Sequence, residues 1–221
     1  MILTGLPPII DPRARVLVLG SFPSAASLAA QQYYAHPQNQ FWRIVGAVIG
    51  QPLKEMDYAD RIGTVQAAGI AVWDVFASCE RAGSLDSAIQ NAVPNPLAEL
   101  RKSAPALRRI CFNGRMAARR IREVDALGYE AMVLPSTSPA HAGMTFEEKL
   151  ARWRAALQSW PGNPMKRQLH PLQGEDRGGD GQTDSDTLTQ HPFPPHPPPG
   201  LPLEGGGEKP PPPPGRCAGH G

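Results

Sequence analysis

Cysteine is scarce in this sequence. Cys79, Cys111 and Cys217 stand far apart, form no Cys-x-x-Cys pair and are odd in number. That pattern argues against a disulfide framework or a zinc site and fits a reducing compartment. Long apolar runs are missing as well. No stretch reaches the roughly 18 residues that a membrane span requires. The N-terminal Met-Ile-Leu-Thr-Gly-Leu-Pro-Pro lacks a basic segment followed by an apolar one, so no secretory signal is expected. No internal repeat is visible. These absences lead us to expect a cytoplasmic protein without a membrane partner.

Proline and glycine are plentiful but unevenly placed. Residues 162–221 hold 14 of the 26 prolines and 12 of the 22 glycines, including the run Pro210–Pro214. Such a segment buries too little apolar surface to offset the entropy lost on ordering it. It reads as a disordered tail with polyproline II character, either without a role or as a docking segment. Residues 1–161 then make one ordinary domain. Residues 1–160 carry 17 Lys and Arg against 13 Asp and Glu, and the tail carries 5 against 7. A mildly basic domain permits nucleic acid without demanding it.

Four short apolar runs stand out: Arg15–Gly20, Gly69–Val75, Arg108–Gly114 and Ala131–Pro135. Each reads as a strand buried on both faces of a parallel sheet. Helical spacing lies between them. Phe41, Ile44, Val45 and Val48 share one face, and Ala59–Ala68, Leu97–Arg101, Arg115–Val124 and Thr145–Leu157 are further candidates. Thr145 with Glu148 has the capping-box spacing. The alternation predicts a three-layer α/β/α domain with a short, mainly parallel central sheet. In such a sheet ligands bind at the carboxyl ends of strands. The site is therefore expected just after Leu19, Val72, Phe112 and Leu134.

All four ends carry distinctive residues. The first reads Gly20-Ser-Phe-Pro-Ser24, with Ser24 placed to cap a helix, and leads to Tyr33-Tyr-Ala-His-Pro-Gln-Asn-Gln-Phe-Trp42. Gly-x-x-Pro followed by Ala-His-Pro-x-Asn-x-Phe-Trp resembles motif 1 of the mismatch-specific uracil/thymine-DNA glycosylases. Leu134-Pro-Ser-Thr-Ser-Pro-Ala-His141 resembles motif 2 of the same superfamily, and Phe112-Asn-Gly-Arg115 resembles a strand-end Asn-Gly-Lys of its thymine branch. The resemblance spans residues 10–157 in motif order. One position departs. Where the mismatch-specific branch has a water-activating Asn, and the family-1 uracil enzymes an Asp, this chain has Phe22. In that respect it resembles the hypoxanthine-DNA glycosylase (deoxyinosine glycosylase) family, in which the downstream Asn of His-Pro-x-Asn takes the catalytic role. That Asn is Asn39 here.

The resemblance implies a uracil-DNA glycosylase-like fold over residues 1–161. It implies a monofunctional, metal-free and cofactor-free DNA glycosylase acting on double-stranded DNA that contains a deaminated base. A monomer is expected. A uracil- or mismatch-specific enzyme, or a degenerate member that binds DNA or a nucleotide without cutting, remains open. A glycosylase must flip the nucleotide into a pocket. Asn39 would orient the attacking water, or merely cap the helix beginning at Phe41. Phe22 would stack on the base, or belong to the core. Gly20 and Ser21 would approach the base through the backbone. Asp74 would read its edge, or serve as a cap or an ion-pair partner. Asn113 would line the pocket, or turn the chain with Gly114. Ser24, Ser136, Thr137, Ser138 and His141 would contact DNA, and His36 is structural or catalytic. Arg101, Lys102, Arg108, Arg109, Arg115, Arg119, Arg120 and Arg122 form a phosphate-tracking face or a solvated one.

Overall fold

The computed structural model describes residues 1–158. The tail, the boundary at 161 and Cys217 lie outside the described residues. The strands are β1 (Ile2–Thr4), β2 (Val16–Gly20), β3 (Ile70–Asp74), β4 (Phe76–Glu80), β5 (Gln90–Pro94), β6 (Arg109–Asn113) and β7 (Glu130–Leu134). The helices are α1 (Ala25–Ala30), α2 (Phe41–Ile49), α3 (Tyr58–Ala67), α4 (Leu100–Ser103), α5 (Ile121–Ala126) and α6 (Phe146–Gln158).

Four strands make the parallel sheet expected from the apolar runs, in the order β3-β2-β6-β7. Side chains alternate across its faces. Val16 and Val18 join one apolar cluster with Phe41, Trp42, Val45 and Trp153, from α2 and α6. Leu17 and Leu19 join the other, with Leu97, Leu100, Ala117 and Val124. The sheet is therefore sandwiched, and the three-layer reading holds. Two candidate helices are shorter than their spacing suggests. Leu97–Glu99 and Ala117–Arg120 are 3-10 turns leading into α4 and α5. The capping box forms: Thr145 N–H donates to Glu148 Oε2 (2.8 Å) and Glu148 N–H to Thr145 Oγ1 (3.2 Å).

A second sheet was not anticipated. β1, β4 and β5 pair antiparallel in the order β1-β4-β5. β4 leaves the end of β3 after one residue, Val75, so this sheet stands beside the functional edge of the first. The link between β4 and β5 carries a 3-10 turn, Asp86–Ala88.

Several basic residues are fastened into the fold. Arg109 is buried, pairs with Glu130 (2.8 Å) and bonds the Ala156 carbonyl. Arg120 donates to the carbonyls of Val75 and Asn95 (3.2 Å each) and pairs with Glu123. Arg101 bonds the Leu127 carbonyl. These three serve the scaffold, which corrects the reading of one continuous phosphate-tracking face. Cys79 and Cys111 are buried and free. Among the described residues no helix is long and apolar enough to cross a membrane.

Candidate active site

The register of the parallel sheet builds the site. Gly20 pairs with Asp74, and Asn113 with Leu134. These are the last residues of β2, β3, β6 and β7, so four chain segments end on one rim. β3 lies on one side of β2 and β6 on the other. That reversal opens a crevice at the carboxyl ends.

The crevice is a cavity of about 230 Å³, and every expected site residue lines it. Gly20, Ser21, Phe22 and Ser24 come from the turn after β2, and Asn39 from the segment before α2. Asp74 and Asn113 end their strands, and Ser136, Thr137, Ser138 and His141 follow β7. His36 is not in the wall. Its Nδ1 accepts the Gln38 N–H at 3.3 Å, which shapes the turn.

Asp74 is a buried member of the wall. Only 4% of it is exposed, and its Oδ2 has no hydrogen-bond partner. Burial, and then the nearby Asp86 charge, push its carboxyl up to about 8, partly opposed by Arg81. Asp74 is therefore largely protonated at neutral pH and offers one O–H donor beside one C=O acceptor. Tyr34 Oη is a second buried polar atom without a partner on the same wall. Its residue holds the left-handed conformation (φ 54°), which ordinary side chains avoid at about 1 kcal/mol or more. A ring stack on Phe41, 3.8 Å between centroids, supports it there.

Asn39 holds the start of α2 through its side chain. Its Oδ1 accepts the Phe41 N–H at 2.9 Å, the first N–H of α2, from the position before the N-cap residue Gln40. An amide oxygen has two lone pairs, so this bond fixes the group and leaves one acceptor position for water. Phe22 is buried, and the Arg81 guanidinium lies 5.1 Å over its ring. Ser24 caps α1, its Oγ accepting the Ser27 N–H at 3.2 Å.

Thr137 departs from expectation. It is fully buried: its Oγ1 accepts from Asn113 Nδ2 and its N–H donates to Asn113 Oδ1, both at 2.9 Å. The Thr137 carbonyl accepts the Gln40 N–H at 3.0 Å. Thr137 thus ties the end of β6, the loop after β7 and the start of α2 together, and its hydroxyl is out of reach of phosphate. Ser136, Ser138 and His141 stay at the surface of that loop.

Lys149 was read only as part of a helix. It is buried, and its Nζ donates to Gln40 Oε1 (3.0 Å) and to the His141 carbonyl (2.9 Å). It clamps the neighbour of Asn39 to the loop after β7. Ser84, Leu85 and Asp86, from the β4–β5 link, also line the cavity and had no signal in the sequence. Ser21 Oγ donates to Asp86 Oδ1 at 2.6 Å. A second cleft of about 520 Å³ shares Asp86, Ser136 and His141 with the first and adds Arg115 and Arg152. The cavity therefore adjoins a cleft lined by two arginines.

The family model described as the Uracil DNA glycosylase superfamily matches residues 7–159. A protein of Methanosarcina acetivorans named Hypoxanthine DNA glycosylase is 40% identical over 158 residues, 72% of this chain and 99% of that protein. One of the same name from Methanosarcina barkeri is 34% identical over 154 residues, 70% of this chain and 97% of that one. A solution NMR structure from Methanosarcina acetivorans, described as a candidate uracil DNA glycosylase, aligns with TM-score 0.66 at 40% identity. It covers 71% of this chain and 97% of its own. In sequence and in fold, this chain belongs to the uracil DNA glycosylase superfamily.

Proposed function

We propose that this protein is a monofunctional DNA glycosylase that removes hypoxanthine from deaminated double-stranded DNA. The observation that carries the reading is the buried Asp74 carboxyl, its Oδ2 unpartnered, in the wall of a cavity that Phe22 and Asn39 also line. Hypoxanthine presents a carbonyl beside an N–H. A protonated carboxyl donates to the first and accepts from the second. The two Methanosarcina relatives named Hypoxanthine DNA glycosylase support the choice of base.

The nucleotide turns out of the stack into the cavity, where Phe22 stacks on the base. The bond between C1′ and the base nitrogen breaks, and its electron pair leaves with the base. The sugar passes through an oxocarbenium-like state, and hydrogen bonding from Asp74 stabilises the departing base. Water oriented by the Asn39 side-chain oxygen adds to C1′. An amide is a poor base, so the proton of that water passes to solvent and the base is reprotonated. Among the described residues no Lys lines the cavity to form a Schiff base, so the product is an abasic site without strand cleavage. Ser136, Ser138 and His141 grip the phosphates beside the flipped nucleotide, and Arg115 and Arg152 guide the strand. The enzyme acts as a monomer in the cytoplasm, and residues 1–161 suffice.

Duplexes carrying one hypoxanthine, uracil or xanthine, incubated with the protein and then cleaved with alkali, test this. Cutting at hypoxanthine that is lost in Asp74→Ala supports the reading. Cutting at uracil alone, or binding without cutting, would overturn it.

A further inference from the structure

A further cleft lies at the other end of the parallel sheet. It measures about 170 Å³, and Arg101, Arg108, Gly128 and Tyr129 are among the residues that line it. Arg108 immediately precedes β6 and Tyr129 immediately precedes β7, so this cleft sits at the amino ends of those strands. The base cavity sits at the carboxyl ends. The five residues of β6 separate the two, at roughly 3.3 Å each. No residue lines both.

Two observations point to a ligand here. The first is Tyr129. It is only 9% exposed, and its hydroxyl is buried without a hydrogen-bond partner. Buried polar groups are almost always paired, so this one calls for an explanation. Burial raises its phenol above the ordinary range, against the opposing charge of Arg101, so the group is an O–H donor at neutral pH. The second is positive charge that is not neutralised. Arg13, Arg109 and Arg120 each pair with a carboxylate; among the described residues neither Arg101 nor Arg108 does. Arg101 is fixed all the same. It donates to the Leu127 carbonyl, and its guanidinium lies 5.7 Å over the Tyr129 ring. A Cβ on Gly128 would stand 3.4 Å from Arg101 Nη2, so the glycine leaves the guanidinium its room. Arg108 is exposed at the surface of the cleft.

Two guanidinium groups and a phenol offer donors from several sides. A carboxylate has two oxygens and is satisfied by one guanidinium, whereas a phosphate group has more oxygens to place. We propose that this cleft is a phosphate-binding site, at the end of the sheet opposite the base cavity. Tyr129 supplies the O–H, Arg101 a fixed guanidinium and Arg108 one that closes from the surface. The cleft is smaller than the base cavity of about 230 Å³, so the phosphate enters and the body that carries it stays outside. A second stretch of nucleic acid and a small phosphomonoester share this chemistry. The site stands independently of which base the first cavity takes.

Inorganic phosphate is titrated into the full chain at constant ionic strength, with chloride as the reference anion. The amide NMR signals of Gly128 and Tyr129 should shift and saturate with phosphate and stay in place with chloride. Tyr129→Phe keeps the ring and removes the O–H, and Arg108→Ala removes an exposed side chain. Each should weaken phosphate binding about tenfold or more, the loss of one hydrogen bond to a charged group, while melting with the parent in chloride. Either variant decides the result if the other melts early. Glycerol phosphate and an undamaged duplex then identify the source: the one that shifts the same signals carries the phosphate that the site takes. Shifts that do not saturate, that chloride reproduces, or that persist in both variants would overturn the site. Binding of inorganic phosphate with no response to either larger molecule would overturn it too, by reducing it to an adventitious ion only.

Discussion

Gly20 and Asp74 sit opposite each other at the ends of β2 and β3, so close that a Cβ on Gly20 would overlap the Asp74 carboxylate. The same Cβ would lie 3.2 Å from the Tyr34 hydroxyl. The missing side chain is what lets both polar groups face the cavity. Gly20→Ala should leave the sheet intact and displace Asp74. A displacement on the order of 1 Å lowers kcat/KM about 100-fold. Excision kinetics with a thermal melt check this; an active Gly20→Ala would show that Asp74 need not hold its position.

Asp74 should also leave a mark on stability. Its carboxyl is raised from 3.8 to about 8 in the folded protein, so the folded state holds a proton that the unfolded state releases. Its contribution is complete below pH 4 and is lost as pH rises through about 8. Asp74→Asn keeps the shape and removes the titration. Denaturant unfolding between pH 5 and pH 9 should show a decline in the parent that is flatter in Asp74→Asn. Parallel curves would refute the shift.

Asn39→Ala removes the oxygen that holds the first N–H of α2 and, in the proposed mechanism, orients water, and the two losses can be separated. The bond to that N–H is worth about 1 kcal/mol of stability. Orientation of the nucleophile accounts for a loss of about 100-fold or more in rate. Asn39→Ser should recover most of the stability, since serine also accepts such a bond, without recovering the rate. Recovery of both would assign Asn39 to the helix start alone.

Arg115 and Arg152 line the cleft beside the base pocket. Replacing either with Ala should weaken binding to lesion and undamaged duplexes alike. Each should lower the slope of log K against log salt by about 1. Arg109→Ala should instead destabilise the fold, because a buried guanidinium that pairs with Glu130 is removed. Filter binding across salt concentrations distinguishes the two classes.

Ending the chain after residue 161 should leave excision unchanged within about twofold, since the residues that line the cavity all precede it. A large loss of activity would give the segment 162–221 a part in catalysis or binding.

The parallel sheet was legible because Val16–Leu19 and Ile110–Phe112 are unbroken apolar runs and buried, and burial on both faces erases alternation. Parallel strands carry their ends to one rim, so the gathering of Gly20, Asp74, Asn113 and the loop after Leu134 followed from the topology. The second sheet was hidden for the opposite reason. Four of the five residues of β5 are exposed, and β4 contains Ser78 and Glu80 among half-buried neighbours. Neither reads as a strand, so the wall at Ser84–Asp86 was missed with them. Lys149 looked like any lysine on an amphipathic helix. Only the fold brings Gln40 and the His141 carbonyl around its ammonium. Thr137 illustrates the same limit: a hydroxyl in a Pro-bounded loop looks available until its partner, Asn113, is seen.

The shared rim has a consequence for how this scaffold can evolve or be engineered. Inserting one residue within any of the four parallel strands would turn its terminal side chain to the opposite face and carry it off the rim. Changes of chain length are therefore closed to those strands, and substitution is their only route to a new base preference. The β4–β5 link lies under no such restriction, since outside its own turn it is fastened to the site by the side chains of Arg81, Ser84 and Asp86. Loops of different length grafted there would reshape that wall of the cavity while the strand ends beneath it stay in place.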